Sequence, residues 1–200
     1  ELQAYPSILF GIETLIYNLN LSSGIDSFES SFSKGHGGIP INGLIWMGSS
    51  DQMMTQIENK IREGYEIVKL KIGAIEFKKE LNILKFIRDK YAQDIEVRVD
   101  ANGAYDDPEV RDVLNHLQGL GVHSIEQPIA KGNWKLMKAL CQERVIPIAL
   151  DEELIGVSNT QDKRELLKLI DPQYIILKPS LHGGVKGCNE WIQLAESMGI

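Results

Sequence analysis

From Pro40 onward the chain repeats one pattern: a short β-branched run ending in polar residues, then a helical stretch. The predicted strands are Ile41–Trp46, Ile67–Lys71, Ile95–Asp100, Val122–Glu126, Pro147–Asp151 and Tyr174–Lys178. The predicted helices are Ser50–Glu63, Ile75–Tyr91, Asp107–Gln118, Trp134–Gln142, Lys163–Leu169 and Val185–Ser197. Strand starts recur about every 25 to 28 residues, which marks a stack of similar βα units. Strict alternation implies an α/β chain with a parallel sheet, because parallel strands need crossover connections. A constant period of this size favours a (β/α) TIM-like barrel over an open doubly wound sheet. The open sheet would more often carry a Gly-rich first βα turn, and Met47-Gly48-Ser49 is not one.

Ahead of the repeat, Ile8, Leu9, Ile12, Leu15, Ile16 and Leu19 fall at helical spacing, which predicts a helix over Pro6–Leu19. Asn20–Gly38 is rich in Ser and Gly and reads as a loop or linker. Its glycines lack the preceding strand and the GK[ST] ending of a phosphate loop. The expected organisation is a helix and linker over residues 1–40 and barrel strands one to six over residues 41–200. The chain has no initiator Met, and Ser197-Met198-Gly199-Ile200 resembles the turn into another strand, so a longer protein is expected.

Composition narrows the function classes. With 200 residues and a net charge of −7, the chain lacks the basic footprint of non-specific nucleic-acid binding. No apolar run approaches the roughly 20 residues of a membrane span. Glu1–Phe10 has neither the basic start nor the apolar core of a secretory signal. Cys141 and Cys188 make neither a disulfide framework nor a zinc site, and the simplest compartment is a reducing cytoplasm.

The strand ends carry the chemistry. Side chains alternate faces along a strand, so Lys69 and Lys71 share a face, as do Arg98 and Asp100, Ser124 and Glu126, Ala149 and Asp151, and Ile176 and Lys178. The other parity holds Val68, Leu70, Val97, Val99, Ile125, Ile148, Leu150, Ile175 and Leu177, which suit the layer between sheet and helices. The polar parity then points into the barrel, at the strand ends where barrel enzymes place their sites. One charge at a strand end is usually the start of a solvated loop. Five in succession, in the order Lys71, Asp100, Glu126, Asp151, Lys178, are harder to explain that way. Three inward carboxylates repel one another unless something positive sits between them. Oxygen-only ligands point to a hard cation such as Mg²⁺, which keeps positions open for substrate. A lysine near a metal and a second ammonium can serve as a base near neutral pH.

The segments Lys69-Leu70-Lys71, Val99-Asp100-Ala101-Asn102-Gly103, Ile125-Glu126-Gln127-Pro128, Leu150-Asp151-Glu152 and Leu177-Lys178-Pro179 resemble the enolase superfamily, in its muconate-lactonizing subgroup. The resemblance runs from about Pro6 to Ile200. It implies that Asp100, Glu126 and Asp151 are Mg²⁺ ligands (Mn²⁺ being the alternative metal) that bind a substrate carboxylate and stabilise an enediolate. It implies Lys71 as the base, with Lys69 near the carboxylate and lowering the Lys71 pKa. Lys178 would steady the enediolate from the opposite face, or carry a second proton in an epimerase. Asn102 and Glu152 fit roles orienting ligands and lysines, or are a turn residue and a loop charge. Within the subgroup, Ile41–Trp46, Asp151–Leu154 and Lys178–Leu181 are most like a syn-dehydrating lyase of menaquinone biosynthesis. The implied partner is a small-molecule carboxylate. The alternatives are a racemase or epimerase of the same subgroup, and a catalytically silent scaffold. The resemblance also implies that residues 1–40 lead from an otherwise absent N-terminal capping domain, and that strands seven and eight are absent.

The remaining candidates carry plainer readings. Arg98 and Ser124 sit one layer deeper, as interior polar packing or, for Arg98, as support for a carboxylate. His116 in a helix and His123 with outward parity read as structural, and His36 and His182 have no matched partner spacing. Cys141 and Cys188 read as helix packing residues. Gly183-Gly184 is a turn or a backbone approach to substrate, and Trp46 lines a pocket or packs at the barrel mouth.

Overall fold

A computed structural model describes residues 2–22 and 28–200. The predicted linker falls partly on residues 23–27, outside the described residues. The chain forms two compact units. One comprises Ile41–Glu153, Leu167–Ile176 and Ile200, and the other Glu1–Pro40, Leu154–Leu166 and Leu177–Gly199.

The larger unit holds a parallel sheet of six strands in the order β1-β2-β3-β4-β5-β6. The strands are β1 Gly43–Ile45, β2 Ile67–Lys71, β3 Glu96–Asp100, β4 Ser124–Glu126, β5 Ile148–Leu150 and β6 Tyr174–Ile175. Helices α2 Ser50–Arg62, α3 Phe77–Tyr91, α4 Glu109–Gly119 and α5 Trp134–Glu143 alternate with the first five strands, and α6 Thr160–Ile170 precedes β6. A doubly wound sheet reverses its strand order, and this one does not. With right-handed crossovers throughout, an unreversed order puts every connecting helix on one face of the sheet, as in a barrel.

Residue type decides which face the helices cover. Val68, Leu70, Val97, Val99, Ile125, Ile148 and Leu150 are at most 1% exposed. The helices answer with equally buried apolar stripes, Met53 and Ile57 on α2, Ile83, Leu84 and Ile87 on α3, and Val110, Val113, Leu114 and Leu117 on α4. Burying each such side chain contributes about 1.5–3 kcal/mol. The opposite face carries Lys69, Arg98 and Ser124 in one cross-strand row, and Lys71, Asp100 and Glu126 in the next. The predicted alternation is therefore observed on β2 to β4 and in the apolar parity of β5, whereas Ile175 and Leu177 are only partly buried.

Most boundaries shift by one to three residues, and two of the shifts have a visible cause. Helix α6 begins at Thr160, three residues before the predicted start, because the Asn159 side chain accepts the Asp162 N–H at 2.8 Å and caps the first turn. Strand β6 stops at Ile175, well short of Lys178. Its partner β5 ends at Leu150, which lies opposite Ile175, so the ladder runs out there.

The smaller unit contains α1 Pro6–Ser22 and α7 Gly184–Met198. The predicted first helix is present, but none of its residues is buried, and Ile8, Leu15, Ile16 and Leu19 are half or more exposed. Polar contacts bind α1 to its unit. Ser7 Oγ donates to the Ser180 carbonyl at 2.8 Å, and Glu13 Oε2 accepts the Val185 N–H at 2.5 Å. Glu13 thus places a carboxylate at the positive N-terminus of α7. Gly184 admits it: its φ is +73°, and a Cβ there would collide with the Glu13 carboxylate. Glu13→Ala is expected to cost about 1 kcal/mol, in line with loss of a helix cap, readable as a lower urea midpoint with an unchanged slope. Lys163, 1% exposed, donates to the Gly187 carbonyl at 3.1 Å and to Glu190 at 3.0 Å, tying α6 to α7.

Candidate active site

Strand register brings the predicted charges together. Lys71 lies opposite Asp100 across β2 and β3, and Asp100 lies opposite Glu126 across β3 and β4. Lys71 Nζ donates to Asp100 Oδ2 at 2.5 Å and to Asn102 Oδ1 at 2.8 Å. Lys69 Nζ donates to Glu126 Oε2 at 2.5 Å and lies 3.1 Å from Asp100 Oδ2. Asn102, in the left-handed region at φ +46°, donates its N–H to Asp100 Oδ1 and its Nδ2 to Glu152 Oε1 at 2.9 Å. Asp100 and Glu126 are buried, and the two lysine side chains are less than one-fifth exposed.

The electrostatics follow from burial set against pairing. Burial raises the Glu126 carboxyl to about 7, and the like charge of Asp100 adds to it, while the Lys69 ammonium opposes both. Asp100 is also desolvated, but its two lysine partners outweigh that and hold it below the usual carboxylate range. Desolvation would lower Lys69, and its bonds to Glu126 and Asp100 outweigh it, so its pKa lies above the ordinary lysine value. Two cations neutralise two carboxylates here, which is what lets the group stay buried.

Asp151 follows β5 directly and is fully buried, with its N–H donated to Gln127 Oε1 at 3.1 Å. Lys178 lies three residues past β6 and belongs to the smaller unit, where its N–H donates to His182 Nδ1 at 2.8 Å. Arg98 pairs with Glu96 at 2.6 Å rather than with Asp100. A cavity of about 400 Å³ lies along this face, lined by Lys69, Arg98, Ser124, Glu126 and Tyr174 among others. The outward assignment of His123 is corrected. It precedes β4, where strand parity does not apply, and it turns to the polar face, Nδ1 2.9 Å from Ser124 Oγ with its ring stacked on Tyr174. Burial raises the Cys141 thiol to about 12, which leaves it an unreactive packing group.

The donor set suits a hard cation, being oxygen only and carrying three negative charges. As the side chains stand, no three His, Cys, Asp or Glu among the described residues converge to hold a metal ion. Lys69 Nζ lies against both Asp100 Oδ2 and Glu126 Oε2, so an ammonium pairs with two of the three carboxylates. The group fits Mg²⁺ in chemistry and charge, and the ammonium groups occupy the oxygens it would need.

Two residues escaped sequence reasoning, one in each unit. Gln127 is fully buried, and both ends of its amide are hydrogen-bonded. His182, which had no matched spacing, closes the turn that carries Lys178. The His-to-Lys spacing of four residues was the signal for the second. Nothing in periodicity marks the first.

Comparison with known proteins places these features. A family model described as enolase C-terminal domain-like matches residues 52–200. The chain is 46% identical to the o-succinylbenzoate synthase of Desulfotalea psychrophila over 197 residues, 98% of this chain and 53% of that protein. It is 24% identical to the L-Ala-D/L-Glu epimerase of Bacillus subtilis over 77% of this chain and 42% of the other. Among solved structures, MenC from Desulfotalea psychrophila superposes with a TM-score of 0.79 at 48% identity, covering 86% of this chain and 48% of that one. Muconate cycloisomerase from Pseudomonas fluorescens gives 0.73 at 27% identity, covering 81% and 44%. The chain thus spans about half the length of the relatives it matches. No described helix is long and apolar enough to cross a membrane.

Proposed function

The chain belongs to the enolase C-terminal domain-like family, and from that premise we propose that it carries the chemical centre of a Mg²⁺-dependent carbon–oxygen lyase, an o-succinylbenzoate synthase. The reaction is the syn dehydration of 2-succinyl-6-hydroxy-2,4-cyclohexadiene-1-carboxylate. The observation that carries the reading is the single hydrogen-bonded cluster of Lys69, Lys71, Asp100, Asn102 and Glu126, in a chain 46% identical to a synthase. In this reading residues 1–40 are the helix and linker from a capping domain, and residues 41–200 are barrel strands one to six.

Asp100, Glu126 and Asp151 would hold the metal. When bound, Mg²⁺ supplies a Lewis acid for the substrate carboxylate and the enediolate charge. Asn102 and Glu152 form the polar relay that aims Lys71. Lys71 Nζ removes the α-proton and then returns a proton to the departing hydroxyl on the same face, so water leaves and the ring becomes aromatic. Lys69 places a fixed positive charge beside the substrate carboxylate. Lys178, by the family resemblance, would steady the enediolate charge.

Solvent deuterium separates the two family chemistries. A dehydratase converts the cyclohexadiene carboxylate to the aromatic product. An epimerase instead incorporates deuterium at the α-carbon of an N-acylated amino acid with inversion, and that outcome would assign Lys71 and Lys178 as opposed bases.

Glu126 gives the metal reading a pH signature. Its folded-state value of about 7 lies above its ordinary value, so the metal-free protein loses stability as pH rises through 7 and a buried carboxylate must ionise. Metal binding needs that ionised form. The rise in melting temperature on adding Mg²⁺ is therefore expected to be larger at pH 8 than at pH 6. Equal shifts at the two pH values would remove Glu126 from the ligand set.

A further inference from the structure

Gln127 follows Glu126 at the end of β4, in the left-handed region at φ +40° and with no solvent exposure. Its side-chain amide is saturated. Oε1 accepts the N–H of Asp151 at 3.1 Å and of Glu153 at 3.2 Å. Nε2 donates to the Ile129 carbonyl at 3.0 Å and to Glu153 Oε2 at 3.2 Å. Its main chain reaches both neighbouring strand ends, because its N–H donates to the Ala149 carbonyl at 2.9 Å and its carbonyl accepts the Gly103 N–H at 2.7 Å. One residue therefore joins the ends of β3, β4 and β5, and those ends carry Asp100, Glu126 and Asp151. Glu153, 5% exposed, fixes the amide in turn, since it also accepts from Gly132 N–H at 2.8 Å and Trp134 Nε1 at 2.5 Å.

We propose that Gln127 is a positioning residue that sets the spacing of the three carboxylates, and that buried Glu153 selects its amide orientation. The inference rests on the proposed metal-binding role of those carboxylates. A backbone turn alone would leave the position of Asp151 free to vary with its loop, whereas a buried amide clamped at both ends does not. Side chains behind metal ligands typically alter metal affinity about 10- to 100-fold when lost.

The test is Mg²⁺ affinity by titration calorimetry on the intact protein, with kcat measured in parallel. Gln127→Glu keeps an oxygen toward Asp151 but faces Glu153 with a second carboxylate. It is expected to weaken Mg²⁺ binding about 10- to 100-fold. Adding Glu153→Gln restores a donor–acceptor pair with the direction reversed, and is expected to recover part of that affinity, an oxygen still facing the Ile129 carbonyl. Gln127→Met, of similar length but without the bonds, should lose affinity and not be rescued by Glu153→Gln. Wild-type affinity in folded Gln127→Glu and Gln127→Met proteins would overturn the proposal while leaving the metal reading intact. If Gln127→Glu does not fold, the double variant decides, and a folded double variant that binds Mg²⁺ no more tightly than Gln127→Met would overturn it as well. Absence of Mg²⁺ binding by the wild-type protein would overturn both.

Discussion

Lys71→Ala is expected to lower dehydration by about 10³-fold or more, because it removes both the proton acceptor for the α-carbon and the proton donor for the leaving hydroxyl. The loss should fall on kcat rather than on KM, since Lys71 contacts Asp100 and Asn102 and contributes little to ground-state binding in this reading. Stability should change far less than activity. Lys71 leaves Asp100 with Lys69 at 3.1 Å as a remaining cation, so the carboxylate is not stranded. Wild-type dehydration by the folded variant would refute the assignment of the base.

Asp100→Asn is expected to be costly in both respects. Asp100 is 1% exposed and accepts from both lysines and from the Asn102 N–H. Replacing it faces two half-buried ammonium groups with a neutral amide. Breaking such a pair by removing one partner costs about 3–5 kcal/mol where burial is complete, and the partial exposure of the lysines puts this case near 3. The pH dependence gives the sign. Asp100 is held below the usual carboxylate range, so its contribution to stability is present at neutral pH and is lost as pH falls through its folded-state value. The variant should therefore lack the acid-side loss of stability that the wild type shows. That arm is opposite to the one from Glu126, whose raised value costs stability on the alkaline side. Urea melts from pH 3 to pH 8 separate the two. An unchanged acid arm in Asp100→Asn would show that other carboxylates dominate it.

Much of this arrangement is legible in the sequence because period-two alternation is a strong physical constraint. Val68, Leu70, Val97 and Val99 must pack under helices, and that leaves Lys69, Lys71 and Asp100 no choice of face. The cluster follows from that and from parallel register. What alternation does not govern was not legible. His123 precedes its strand and turned the other way. Strand β6 ended early, where its partner β5 runs out at Leu150. The bonds of Gln127 run between loops after β4 and β5, and such contacts leave no periodic mark. Helix α1 shows the converse case: spacing identifies the helix, but spacing does not say what its apolar stripe packs against.

The chemistry of the cluster also explains why a divalent metal can be proposed from residue type yet is not prefigured in side-chain placement. Asp100 and Glu126 need positive charge close by, and without a divalent cation Lys69 and Lys71 are the nearest sources. The same oxygens serve both, so cation binding and the lysine pairs compete.

The most direct measurement is turnover of 2-succinyl-6-hydroxy-2,4-cyclohexadiene-1-carboxylate by the intact protein, followed by formation of the aromatic product, with Mg²⁺ and after chelation. The account predicts conversion that stops on chelation, returns with Mg²⁺, and is absent in Lys71→Ala under both conditions. Unchanged conversion after chelation, or no conversion by a protein that racemises N-succinyl amino acids, would contradict it.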